Sequence, residues 1–385
     1  MNNIVGQTPR GDDFFPRPDI IEKIYRKLDA GENIYMVAPR RAGKTAIMRH
    51  LGDNPRSGVE FQYLITESVD NATTYFKLLL DSFKKFNKIS KGTLKAIGDF
   101  LDKIDKVELF SLKVELNQKE AQGDNGYFEE FKQLIKELAT EDETKIVVMI
   151  DEFPQTVENI LRKHGNGAAE QFLQFNRELR HQDNQRLKFI LTGPIGLTSV
   201  AEKLDATKEI NDLNIIEISP LNPEQARDFT KKLLDYANIV YSEDALDYML
   251  NKIDWFIPFH IQLVVQELIE ECETAAKPVN KTAVDRAFAN ISKRRNDIYF
   301  QHYYSRLKKT FAENECHFAF AVLKELANND ACTVNQLENI TKQHKIDNYP
   351  MVLRVLESDG YLFKSGGSYR FTSPVLRQWW RDYAV

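Results

Sequence analysis

The sequence predicts an α/β protein: a mostly parallel sheet with helices on both faces, then a helical domain, then a small domain of three helices and a hairpin. Three observations predict this. Short β-rich runs alternate with amphipathic helical patterns through the first half of the 385 residues. The β-rich runs stop after Pro220. The last segment sets three helical patterns before "GYLFKSGGSYRFTS", two alternating strands around Ser365-Gly366-Gly367-Ser368, a strong hairpin signal.

The expected strands are Asn33–Val37, Glu60–Thr66, Lys145–Ile150, Leu187–Thr192 and Asn214–Ile218. Between them, apolar residues spaced by three and four mark helices at Thr45–Leu51, Asn71–Phe86, Gly126–Thr140, Ala168–His181 and Gly196–Leu204. The stretch Asn87–Asn125, with a helical Thr93–Ile104 and an extended Glu108–Leu116, fits the alternation less well and reads as an insertion or an added sheet edge. After the sheet, helices are expected at Pro223–Tyr236, Ser242–Lys252, Pro258–Cys272 and Lys281–Phe300, with Tyr303–Phe311 continuing as a bridge. Helices at Glu315–Ala327, Thr333–Gln343 and Tyr349–Ser358 with the hairpin make a winged helix. The expected domains are therefore residues 1–221, 222–312 (a helical lid) and 313–385.

Composition excludes several classes. A net charge of −5 gives no global attraction to nucleic acid or anionic membrane. Cys272, Cys316 and Cys332 are far apart and lack metal-ligand spacing, which reads as reduced thiols in a cytoplasmic protein. The first thirty residues hold no long apolar run and no 18-residue apolar stretch occurs, so neither secretion nor membrane spanning is expected.

"MVAPRRAGKTAIMRHL", Met36 to Leu51, runs from a buried strand through a sharp bend into helix formers. The spacing Ala38-x-x-x-x-Gly43-Lys44-Thr45 matches a phosphate-binding loop (P-loop) between strand and helix, with alanine at its first glycine position. "KIVVMIDEFPQ" is a second buried strand, ending in Asp151-Glu152. Ligands of parallel sheets bind at the carboxyl ends of strands, which brings these acids beside Gly43. The pair suits phosphoryl transfer from ATP. Mg2+ bridging the β- and γ-phosphates would be held by the Thr45 hydroxyl and steadied by Asp151, and Glu152 would orient and activate water. Lys44 would neutralise phosphate charge, and backbone N–H groups from Ala42 to Thr45 would cradle the phosphates. The nucleotide-binding stretch is Ala38, Pro39, Arg40, Arg41, Ala42, Gly43, Lys44, Thr45 and Ala46. Thr192, ending the strand of "LKFILTGPIGL", is placed to hydrogen-bond the attacking water or the γ-phosphate. Arg177 and Arg180, on the preceding helix, are candidates for an arginine finger at a subunit boundary.

Across nearly the whole chain, the Asn87–Asn125 region excepted, the sequence resembles bacterial and archaeal ATPases of the AAA+/STAND division, related to the archaeal-type ATPase domain. The resemblance is carried by "FFPRPDIIEKI", "APRRAGKTAIM", "VVMIDEFPQ", "LRHQDNQRLKFILTGPIGL", "ISPLNPEQARDF", "IPFHIQLVVQEL" and "DGYLFKSGGSYRFTSPVLRQWW". It implies that Phe15 and Arg17 lie near the adenine and that Pro258 approaches the nucleotide. Pro16 stands where the family commonly has glycine, as do Phe256-Ile257 before Pro258. It also implies a nucleotide-driven switch, in which ATP clamps the sheet domain against the domains that follow.

Two outputs compete. One is a protein partner or self-assembly. The other is DNA, read by the winged helix or by Lys293-Arg294-Arg295 and Arg306-x-Lys308-Lys309. From Glu313 to Val385 there are eight Lys/Arg against nine Asp/Glu, and the expected recognition helix Tyr349–Ser358 offers only Arg354 as a cation, which favours a protein output. Trp379-Trp380, with Leu376 and Tyr383, is expected to pack the last helix onto its domain.

Overall fold

A parallel sheet needs its strands fed by crossover helices, and in a computed structural model of the chain this is how the first half folds. The structure describes residues 1–84, 97–99, 102, 126–138, 144–182, 186–193, 196–275 and 278–383. Strands β1 (Ile34–Val37), β2 (Val59–Ile65), β3 (Lys145–Asp151), β4 (Leu187–Thr192) and β5 (Asn214–Glu217) form one sheet in the order β2-β3-β4-β1-β5. Every pairing is parallel. The expected Asn87–Asn125 insertion lies almost wholly outside the described residues.

The chain divides into two units. One comprises Pro16–Ala38 and Lys44–Ile218; the other comprises Met1–Phe15, Pro39–Gly43 and Ser219–Val385. In the sheet unit, β3 is buried along both faces, which explains its unbroken apolar run. Helices α1 (Pro18–Asp29) and α2 (Lys44–Asp53) bury Ile24, Leu28, Met48 and Leu51, and Gly52 of α2 approaches the Met149 side chain. Helices α3 (Ala72–Phe83), α4 (Gly126–Glu137), α5 (Phe153–His164) and α6 (Asn166–Arg180) build a core with Ile146, Val148 and Ile150. Its centre is aromatic: Tyr75 meets Phe172 edge-to-face at 4.7 Å, and Phe153 stacks on Phe172 at 5.7 Å. The sequence patterns mark no element at α1 or α5. The second begins directly after Asp151-Glu152, with Pro154 in its first turn, where Glu-Phe-Pro looks like a loop.

Helix α7 (Leu197–Lys203) precedes β5 in the sheet unit, and in the other unit the chain continues through α8 (Pro223–Tyr236), α9 (Glu243–Ile253), α10 (Pro258–Ala275), α11 (Lys281–Ile291) and α12 (Asp297–Thr310). Asn222 and Gln225 form a capping box on α8, and Ser242 and Asn280 cap α9 and α11. The expected single helix Lys281–Phe300 is broken by a 3-10 turn at Arg294–Asn296. The reason is polar: Asn296 turns inward to the buried Glu267 at 2.9 Å and to the Asn290 carbonyl at 3.1 Å, and Arg295 pairs with Glu267 and Glu270.

Helices α13 (Glu313–Asn328), α14 (Val334–His344), α15 (Tyr349–Ser358) and α16 (Pro374–Tyr383) accompany a three-stranded antiparallel sheet, β6 (Cys332–Thr333), β8 (Ser368–Phe371) and β7 (Leu362–Ser365) in that order. The hairpin falls on the expected residues; the two-residue β6 was too short to read. Segments 222–312 and 313–385 pack as one unit. Trp379 donates to Asp297 at 3.0 Å and stacks on Phe300 at 5.3 Å, Tyr361 donates to the Tyr303 carbonyl at 2.8 Å, and buried Arg306 and Asp359 pair at 2.6 Å. Trp379 and Trp380 are wholly buried, so the pair is packing and no exposed patch. Among the described residues, no helix is long and apolar enough to cross a membrane.

Arg180 is also committed inside its unit. Its guanidinium donates to both Asp212 oxygens, at 2.7 and 2.8 Å, and to the Glu209 carbonyl, with 2% of its side chain exposed. That removes it from the trans role considered above; Arg177 faces Glu209 at 3.7 Å. Burial raises the Asp212 pKa, but the Arg180 hydrogen bonds and charge outweigh it and the carboxyl sits below its ordinary value. Its stabilisation is thus complete above the unfolded pKa and is lost as pH falls through the lower folded pKa. Asp212→Ala strands a buried cation and is expected to destabilise the protein by about 3–5 kcal/mol at neutral pH. In urea unfolding, the deficit should shrink as pH falls below the carboxylate range.

Candidate nucleotide-binding site

The sheet order sets the site. β4 pairs with β1 on one side and β3 on the other, so Thr192 ends between the strand that enters the phosphate loop and the strand that carries Asp151. Beyond β1 the chain must turn sharply. It does so with Arg41 at φ 62° and Gly43 at φ 99°, a left-handed value that explains the glycine. Ala38 is absent from the positive-φ residues, so its Cβ carries no strain. The Ala42 N–H, expected among the phosphate donors, here closes a turn onto the Pro39 carbonyl at 3.3 Å. Helix α2 opens at Lys44, and helix geometry leaves the Thr45 and Ala46 N–H groups without intrahelical acceptors.

Lys44 donates to the Ala38 carbonyl at 2.9 Å, so its ammonium folds back over the loop. The Thr45 hydroxyl donates to Asp151 Oδ2 at 2.7 Å across the sheet end. A hydroxyl has one proton and two lone pairs, so this bond leaves oxygen lone pairs for a cation. Asp151 is 4% exposed, and its Oδ1 accepts the Glu152 N–H at 3.1 Å. Glu152 sits in the left-handed region, at φ 66° and ψ 26°, as the N-cap of α5. Thr192 is wholly buried and donates to the Met36 carbonyl at 3.0 Å. Its proton is therefore spent on the neighbouring strand.

The donor set fits a hydrated divalent cation brought in with phosphates: one hydroxyl, one carboxylate and an ammonium nearby. Among the described residues no group of three or more His, Cys, Asp or Glu side chains could hold a metal by itself.

The remaining expected residues separate. Arg17 is buried in the sheet unit before α1, where burial lowers its pKa. Phe15 and Pro258 belong to the other unit, Phe15 packing on Phe229 at 5.0 Å beneath Lys232, and Pro258 opening α10. Pro39–Gly43 pack with that same unit. Arg41 lies over the Phe259 ring at 3.9 Å and donates to His302 Nδ1 at 3.4 Å. Burial, then the charges of Arg40, Arg41 and Arg306, push the His302 pKa down to about 2, so the ring is a neutral acceptor. Sequence reading missed three contributors: Phe259 and His302, which engage the loop, and Tyr63 of β2, which donates to Asp151 at 2.8 Å. An aromatic with a polar tip near a strand end is the only signal for Tyr63, and it needs the strand pairing to be read.

A parallel sheet ordered this way, with lysine, threonine and strand-end acids at its carboxyl edge, defines a P-loop nucleotide-hydrolase fold. The comparisons agree. Residues 19–202 match the family model described as "Predicted AAA-ATPase", which supports an ATPase of the AAA+ type. Among solved structures, a Walker-type ATPase of Pyrococcus abyssi superposes with a TM-score of 0.66 at 14% identity, covering 99% of this chain and 100% of that one. The Aeropyrum pernix ORC2 protein, in ADPNP–ADP complexes, gives 0.55 at 11% identity over 96% and 94%. Identities this low establish the fold alone. No curated protein matches the chain.

Gly193 follows Thr192, and a Cβ there would meet Pro154 Cδ at 2.6 Å and the Glu152 backbone at 3.5 Å. Gly193→Ala should therefore displace the turn that carries Glu152. The expected cost is about 1–3 kcal/mol in thermal or urea unfolding.

Proposed function

We propose that this protein is a cytoplasmic, Mg2+-dependent ATPase switch whose nucleotide state is passed to the C-terminal unit and from there to a protein partner or to self-assembly. The observation that carries the coupling is the membership of Pro39–Gly43 in the C-terminal unit while Lys44 and Thr45 belong to the sheet unit. One peptide bond, Gly43–Lys44, then joins the phosphate-binding ammonium to a loop seated on Phe259 and His302.

In this reading Lys44 leaves the Ala38 carbonyl for the β- and γ-phosphates. Bound Mg2+ neutralises charge that develops on the phosphates. Thr45 offers that cation its hydroxyl oxygen while its own proton stays hydrogen-bonded to Asp151. Glu152 orients the attacking water and takes its proton. Thr192 meets the γ-phosphate or the water after releasing Met36. Phe15, Arg17 and Pro258 take the base side, and Ala38 to Ala46 wrap the phosphates. A ligand shifts a conformational equilibrium only through a difference in affinity for the two states. A loop whose arginine packs on one unit and whose lysine holds the phosphate supplies such a difference.

The C-terminal segment, read as a winged helix, serves protein contact in this proposal. Two supposed DNA-facing cations support that choice by being engaged: Arg295 pairs with Glu267 and Glu270, and Lys308 lies over Tyr304 at 4.8 Å.

Lys44→Ala is expected to abolish turnover and weaken nucleotide binding. Glu152→Gln should keep binding and lose about 10²-fold or more in turnover, since it removes the base and spares the cation site; unchanged turnover would refute the role of Glu152. ATP should also slow hydrogen exchange across Phe256–Gln262. Arg41→Ala should abolish that slowing while leaving ATP bound, and a response that survives the substitution rules out Arg41 as the link.

A further inference from the structure

Asp151 accepts more than the phosphate loop requires of it. Tyr63, on the neighbouring strand β2, donates its phenol proton to Asp151 Oδ2 at 2.8 Å, the same oxygen that takes the Thr45 proton at 2.7 Å. A carboxylate oxygen has two lone pairs, and on Oδ2 both are now used. Oδ1 accepts one N–H, from Glu152, and keeps one lone pair. The phenol itself is held. Its ring lies under the guanidinium of Arg49, 3.7 Å from the ring centroid, and Arg49 is one helical turn beyond Thr45 on α2.

We propose that Tyr63 is a positioning residue for the divalent cation at this site, with Arg49 as its support: the phenol locks Asp151 so that Oδ2 serves Thr45 and only Oδ1 has a lone pair to offer a hydrated cation. The inference rests on the reading of the site as a Mg2+–nucleotide site. Mg2+ sheds its waters reluctantly and binds through few carboxylate oxygens, so a carboxylate with one oxygen already saturated matches its preference. Without the phenol, the carboxylate is held only by the Thr45 hydroxyl and the Glu152 N–H, and Thr45 has a less fixed acceptor. The cation then meets a site that must be ordered on binding.

The test uses the full chain and a fluorescent ATP analogue, titrated in EDTA and then against rising Mg2+. Tyr63→Phe keeps the ring and the Arg49 stack. It should bind the analogue in EDTA as wild type does, while the Mg2+ concentration for half-maximal tightening rises about tenfold, the worth of one hydrogen bond to a charged group. Arg49→Leu should give a smaller rise, about threefold. An unchanged or lowered Mg2+ midpoint in Tyr63→Phe overturns the proposal. So does a loss of binding already in EDTA, which would mark Tyr63 as a general structural support. Wild type that binds no analogue under either condition defeats the nucleotide-site reading itself, and this proposal with it.

Discussion

The hydrogen bond from Thr45 to Asp151 is the contact on which the rest of the site depends. It joins the first turn of the helix after the phosphate loop to the end of a strand two places away in the sheet. The bond exists only because β4 lies between β1 and β3, and that order in turn requires crossovers long enough to carry helices over both faces. The aromatic core around Phe172 and the buried length of β3 fix the distance between loop and acid. A hydroxyl–carboxylate bond buried to this degree needs no reorganisation when charge arrives, which is the condition for electrostatic work at a reacting phosphate.

The phosphate loop has a second allegiance. Most such loops are read as the turn between one strand and one helix. Here the turn's middle residues, Arg40 and Arg41 among them, pack with the C-terminal unit beside Phe259, His302 and Tyr303. Desolvating Arg41 is costly, and the Phe259 face and a neutral imidazole partly replace the water it loses. His302 accepts because burial, and then those same charges, keep it neutral.

Much of the sheet was legible because both of its signals are local: apolar runs mark buried strands, and three-four spacing marks helices. Each of the five expected strands appears within a residue or two of its expected bounds. The meeting of Thr45 with Asp151 was legible for the same reason, since each follows such a run. What escaped reading depends on distant pairs. The break at Arg294–Asn296 follows from Glu267, buried on another helix. Tyr63 matters only once β2 is known to lie against β3. Arg180 reads as a candidate arginine finger until its pairing with Asp212 is known. Helix α5 was hidden by its own start, where a proline and a left-handed residue resemble a loop.

That left-handed residue has an evolutionary consequence. Glu152 holds a backbone conformation that costs an L-residue with a Cβ about 1–2 kcal/mol and that glycine adopts freely. Selection for stability alone would therefore replace the one side chain proposed to activate water, and library screens scored on thermal tolerance would enrich the same loss. A glutamate in this conformation is thus a stability cost that the fold carries to keep an acid at the end of β3.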